Sequence, residues 1–189
     1  MLNCPMQVGG EGHVVEIDET SLKQKSKYNR GTRHEDCWLF GGVDRTTNRW
    51  FGMIVFDDRT KPTLSDVIKR YIKPKTLIMS DMWRAYVSVN GTKTFTLENN
   101  RHLRHMQYSH KWVNHSKNFV DPKTGAHTQR IEGVWEVRVK QYLKAMRGCK
   151  RTLIASYLDW FLWKSWFLPP RPSIQETVNG VICGINRYY

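Results

Sequence analysis

Three carboxylates stand where side chains would leave a packed core. Asp18 closes the apolar run 13–18 (HVVEID), Asp81 follows the short run 76–80 (TLIMS), and Glu132 lies just inside a helical pattern that begins at Thr128. Open α/β sheets commonly keep their active sites at such strand ends. Carboxylates brought together repel one another unless a divalent cation offsets their charge. Hard ions such as Mg²⁺ and Mn²⁺ take oxygen ligands, a few carboxylates beside water and phosphate. Two such ions about 3.5–4 Å apart activate a water or a 3′-hydroxyl and stabilise the leaving oxygen of a phosphodiester. Spacing alone leaves a plainer alternative open. An aspartate at a strand end is often a turn or cap residue. Glu132, Glu136 and Lys140 also follow one another at i, i+4 and i+8, as on a solvated, salt-bridged helix face.

The charge balance favours a polyanionic partner. The 189 residues carry 30 Lys and Arg against 17 Asp and Glu, a net charge of +13. Solubility needs far less, so nucleic acid is the first expectation and an anionic membrane the second. No apolar run reaches membrane-spanning length; the most apolar stretch, Leu153 to Leu168, is interrupted by Asp159 and Lys164. The first residues lack the pattern of a secretory signal. Cys4, Cys37, Cys149 and Cys183 form no C-x-x-C pair and are expected as free thiols in a reducing compartment.

Several cations and neutral polar groups flank the three acids. Lys23, Lys25, Lys27 and Arg30 follow Asp18 in a stretch without acids, and Arg130 and Lys140 flank Glu132. These are candidate phosphate contacts, which position DNA without reading its sequence. Solvated faces are the alternative. Asn114 and His115 either touch DNA or brace a loop. His127 either contacts phosphate or metal-bound water, or caps the helix with Thr128. His102, His105, His110 and His115 lack partner cysteines, which argues against a structural zinc site.

The elements that must position these groups are legible in outline. Residues 13–18 alternate as a strand, with Val15 and Ile17 on one face and Val14, Glu16 and Asp18 on the other. Residues 37–43 and 50–56, separated by DRTTN, read as a hairpin. Residues 60–72 read as a helix with Pro62 in its first turn. Residues 76–80 read as a buried strand, and a short helix carrying Trp83, Tyr86 and Val87 is expected after Asp81. The order β-β-β-α-β-α implies a mixed sheet covered by helices. Residues 93–126 form an irregular basic insertion. Two long helices follow, one with a stripe of Ile131, Trp135, Val139, Tyr142 and Met146, the other with Leu153, Ile154, Tyr157, Leu158, Phe161, Leu162 and Trp166. The expected organisation is a loose lead (1–12), a catalytic domain (13–168) and a weakly patterned tail (169–189).

The words around the three acids carry a family resemblance. VEIDETSLKQKSKYNRG, SDMWRAY and VNHSKNFVDPKTGAHTQRIEGVW closely resemble Merlin-type transposases and the related bacterial insertion-sequence transposases. The family pattern is an EIDE strand, a (S/T)D-x-W-x-A-Y element and H-T-x-x-I-E, and the resemblance runs from about Gly9 to Trp166. It implies an RNase H-like fold, with Asp18, Asp81 and Glu132 as a DDE triad that holds two Mg²⁺ or Mn²⁺ ions. It implies cleavage of double-stranded DNA at transposon ends, then strand transfer into target DNA, by a homo-oligomer. No membrane or small-molecule substrate is implied. Closeness to Merlin implies the nucleus of a eukaryote; a bacterial host would place the chain in the cytoplasm, at the nucleoid. Family members usually carry an N-terminal end-recognition module, whereas Asp18 comes early here. A fragment, a non-mobile DNA-binding remnant, or a metal-dependent nuclease or resolvase on the same fold are therefore kept as alternatives. Gln129 stands where many relatives have Asn, an exchange of one neutral amide for another.

Overall fold

The structure, a computed structural model, describes residues 6–23 and 36–188. The chain runs β1 (Val14–Ser21), β2 (Trp38–Asp44), β3 (Trp50–Phe56), α1 (Lys61–Tyr71), β4 (Leu77–Asp81), a small hairpin of β5 (Ser88–Asn90) and β6 (Lys93–Phe95), and β7 (Ser109–Val113). Then come α2 (Gln129–Val134), a π-helical stretch (Trp135–Lys140), α3 (Gln141–Ala145), α4 (Arg151–Phe167) and α5 (Ile174–Tyr188). Five strands form one mixed sheet in the order β3-β2-β1-β4-β7. β1, β2 and β3 are antiparallel neighbours, while β1–β4 and β4–β7 pair in parallel. The expected mixed sheet flanked by helices is what forms.

Strand alternation builds two cores. Val15 and Ile17 of β1 pack with Phe40, Phe51, Leu64 and Ile68 under α1. On the opposite face Leu39, Val43 and Trp50 meet Ile131, Val134, Trp135 and Val139, with Ile154, Leu158 and Phe161 of α4 behind them. Glu16 and Asp18 therefore point toward α2, as the alternation predicts.

Five local expectations differ from the structure. After Asp81 there is a turn instead of a helix. Asp81 Oδ1 accepts the Trp83 N–H at 3.0 Å, and the Tyr86 and Val87 N–H groups both bond the Trp83 carbonyl, so the chain coils once and enters β5. Short-range capture of a backbone N–H by an aspartate competes with helix in this way. Within the insertion, the polar run SHKWV is the edge strand β7; its central-sheet contacts come from the buried His110 and Val113, which no apolar periodicity marks.

The apolar stripe from Ile131 also breaks. Ile131, Trp135 and Val139 are buried, but Tyr142 and Met146 are about 40% exposed (42% and 38%), and Leu143 packs on the core in their place. The π-helical stretch adds residues to the turn and so advances the buried face beyond the 3.6-residue period. Finally, the weakly patterned tail is mostly α5. Ser173 and Glu176 form a reciprocal capping box: Ser173 N–H donates to Glu176 Oε2 at 2.8 Å, and Glu176 N–H to Ser173 Oγ at 3.2 Å. Gly180 and Gly184 let the helix approach Phe167, Leu168 and Trp163 closely. In the lead, expected to be loose, Met6 and Val8 are buried and Val8 bridges Ile72.

His110 ties the insertion to the strand that carries Asp81. Its Nδ1 accepts the Leu97 N–H at 3.3 Å, so its Nε2 carries the proton toward Ser80 Oγ at 2.9 Å, and Ser80 donates to the Asp81 carbonyl. A second proton would collide with the Leu97 N–H, and burial pushes the imidazole down to about 3. An unfolded histidine titrates near 6.5. The stability this group contributes is therefore complete above about pH 6.5 and is lost as pH falls toward 3, by up to ~1.4 kcal/mol per pH unit. In urea unfolding across this range, the stability gap between wild type and His110→Asn is expected to narrow on acidification. A gap independent of pH would contradict the neutral, buried histidine.

Candidate active site

The sheet register brings two of the acids side by side. In the parallel β1–β4 ladder Val14 faces Leu77 and Glu16 faces Met79; the same register carried two residues on sets Asp18 beside Asp81. Glu132 approaches from the first turn of α2, which packs on β1 and β2. Each carboxylate is held by a group of its own. Trp135 Nε1 donates to Asp18 Oδ2 at 3.2 Å, the Trp83 N–H to Asp81, and Thr128 Oγ1 to Glu132 Oε1 at 3.0 Å. Because Thr128 spends its proton on Glu132, His115 Nε2, 2.9 Å from Thr128 Oγ1, must donate to it.

The electrostatics are strained. Burial, then the charges of Glu19 and Asp81, push Asp18 up to about 8. Burial likewise raises Asp81, opposed by the Trp83 N–H and His115 and reinforced by Glu132. Glu19, on the other face of β1, is pushed up to about 7 by burial. Glu19 and the buried Tyr86 hydroxyl face one another, and the hydroxyl's interaction with the carboxylate opposes the effect of burial on Glu19. Asp18 and Asp81, oxygen donors whose ionisation is resisted by burial and by neighbouring carboxylates, fit a hard divalent cation. Among the described residues no three His, Cys, Asp or Glu side chains are gathered tightly enough to hold an ion as they stand. The acids are coupled pairwise, Asp18 to Asp81 and Asp81 to Glu132.

The flanking candidates are placed unevenly. Lys23 pairs with Asp36 at 3.1 Å, and Lys25, Lys27 and Arg30 lie outside the described residues. Asn114 turns the chain after β7, its Oδ1 accepting the Ser116 N–H, so it braces the loop. His115 braces Glu132 through Thr128. His127 Nδ1 is buried without a hydrogen bond, 3.6 Å from Glu16 Oε1, and Thr128, at the cap position, makes no side-chain cap bond. Arg130 is exposed and donates to the Arg45 carbonyl at 2.8 Å. Lys140 pairs with Glu136 at 2.7 Å, one turn away. That part of the helix is the salt-bridged face that spacing allowed, while Glu132 turns away from it toward Thr128.

Sequence reasoning passed over Glu16, Arg45, Glu19, Tyr86 and Arg59. Glu16 shared a strand face with Asp18, which was the available signal. Arg59 lies 3.5 Å over the Trp38 ring and 5.2 Å from Trp83, and its charge favours the Glu19 carboxylate. No pattern in the sequence announces that cluster.

The sequence pattern described as the ISXO2-like transposase domain matches residues 8–165. The chain belongs to that family. It is a DDE transposase catalytic domain. A chain of the simian T-cell lymphotropic virus intasome is similar in fold, with a TM-score of 0.51 at 14% identity. The alignment covers 87% of this chain and 52% of that one, so this ISXO2-like domain spans about half the length of the intasome chain. The magnesium-bound HTLV-2 integrase catalytic core, in its trimeric form, aligns with a TM-score of 0.44 at 12% identity over 87% of each chain. No curated protein sequence matches significantly.

Proposed function

We propose that this domain cleaves and joins DNA with a metal-assisted triad of Asp18, Asp81 and Glu132. The observation that carries the reading is the parallel β1–β4 register, which makes Asp18 and Asp81 neighbours at the carboxyl ends of adjacent strands, with Glu132 on the helix above. Two Mg²⁺ or Mn²⁺ ions held by these carboxylates would activate the attacking oxygen and stabilise the leaving one. The protein's own part is positioning. Trp135, the Trp83 N–H and the His115–Thr128 pair fix the orientation of the three acids, and orientation supplies much of the rate in phosphoryl transfer. The net charge of +13 supports a DNA partner, bound through phosphates as a homo-oligomer at transposon ends and target. SDMWRAY and HTQRIE support the Merlin branch of the family; a nuclear site of action rests on that branch.

The test mixes the purified chain with labelled duplex bearing a pre-cut 3′-hydroxyl, a target plasmid and Mg²⁺ or Mn²⁺ at low salt. Metal-dependent joining, lost in Asp18→Asn, is the expected result. Nicking without joining would favour a nuclease. Salt-sensitive binding with neither reaction would favour a DNA-binding remnant.

A further inference from the structure

The first turn of α2 is held by a residue from the far end of the chain. Glu16 is fully buried, and each carboxylate oxygen is engaged. Oε1 accepts from Arg45 Nε at 2.6 Å; Oε2 accepts the backbone N–H of Arg130 at 2.8 Å and of Ile131 at 3.1 Å. The clamp closes on itself, since Arg45 Nη2 donates to the His127 carbonyl at 3.1 Å and Arg130 Nη1 to the Arg45 carbonyl. A buried carboxylate is costly unless its lone pairs are filled, and here all the donors come from one helix start and one arginine.

This arrangement explains an oddity at the helix start. Thr128 occupies the cap position and is a residue type that caps well, yet its hydroxyl bonds the Glu132 carboxylate instead of a first-turn N–H. Glu16 satisfies those N–H groups in its place, with its charge favourably set at the positive end of the helix. Thr128 is thereby free to orient Glu132.

We infer that Glu16 is a positioning residue of the active site. It locks the turn that carries Glu132 to the strand that carries Asp18, two residues away on the same face. Arg45 completes the lock. The inference rests on the reading of Glu132 as a metal ligand.

The experiment compares wild type, Glu16→Gln, Arg45→Lys and Glu132→Gln without DNA. Mn²⁺ affinity is measured by electron paramagnetic resonance of the free ion, folding by circular dichroism and thermal melting, and amide exchange by NMR. Glu16→Gln is expected to lower Mn²⁺ affinity roughly tenfold, in line with other outer-shell substitutions. It is also expected to speed exchange at Arg130 and Ile131 while β1 stays protected. In joining assays, high Mn²⁺ should restore most of the maximal rate, which a general loss of structure would not allow. Arg45→Lys should act in the same direction more weakly, and it decides the matter if Glu16→Gln does not fold. Wild-type Mn²⁺ affinity in a folded Glu16→Gln, or in Arg45→Lys if Glu16→Gln does not fold, overturns the inference. Unchanged Mn²⁺ affinity in Glu132→Gln, with fast exchange still seen in Glu16→Gln, would instead overturn the reading of Glu132 and leave the clamp as a helix tether only.

Discussion

Asp81→Asn is expected to reduce metal-dependent cleavage and joining by about 10³-fold or more, the scale on which a group that stabilises charge at the reacting centre acts. Salt-sensitive DNA binding should stay within about twofold, since phosphate contacts elsewhere supply it. The fold should survive. Asn can still accept the Trp83 N–H, and it removes a charge whose ionisation burial and Glu132 both oppose. Without metal, the variant should therefore melt at the wild-type temperature or above it. Added Mn²⁺ should raise the melting temperature of wild type and leave that of the variant nearly unchanged. Two measurements settle this: single-turnover joining, and thermal melting with and without Mn²⁺. A variant that unfolds would make Asp81 a structural turn residue. A variant that keeps its rate would remove it from the chemistry.

Gly41→Ala is expected to destabilise the domain by about 3 kcal/mol or more, the upper range for overpacking a core. Gly41 pairs with Asp18 across β1 and β2. A methyl group there would overlap the Phe51 carbonyl oxygen and lie 2.7 Å from Trp135 Cη2. The carbonyl belongs to the neighbouring strand and cannot move aside. The indole is fixed at its other end by Asp18 and edge-on against Trp50 at 6.3 Å. Any molecules that still fold would have a displaced Trp135 and an Asp18 without its donor. Urea unfolding measures the effect. Gly133→Ala is the control: its added methyl meets nothing within 4 Å on the helix, and it should stabilise by about 0.5–1 kcal/mol. Equal behaviour of the two variants would show that the packing at Gly41 is softer than described.

Much of the frame was readable because it follows side-chain periodicity. The alternation in VVEID separated Val15 and Ile17 from Glu16 and Asp18, and α1 was legible from Leu64 and Ile68 with Pro62 in the first turn. Misread segments were those in which backbone or polar groups decide the conformation. Asp81 captures an N–H and turns the chain at Trp83. A π-helical stretch moves the buried face from Tyr142 to Leu143. A buried histidine shares with Val113 the anchoring of β7.

At the site, sequence by itself determined which side chains carry charge, the strand face shared by Glu16 and Asp18, and the excess of cations that suits a polyanion. These are properties of residue type and of a two-residue period. Only the tertiary structure decided that Asp18 stands beside Asp81, because parallel register is set by two cores packing on opposite faces of the sheet. It alone assigned Glu16 to a helix 114 residues away. The groups that receive Glu16 are backbone N–H groups, which every residue but proline carries, so no pattern of side chains can mark them in advance.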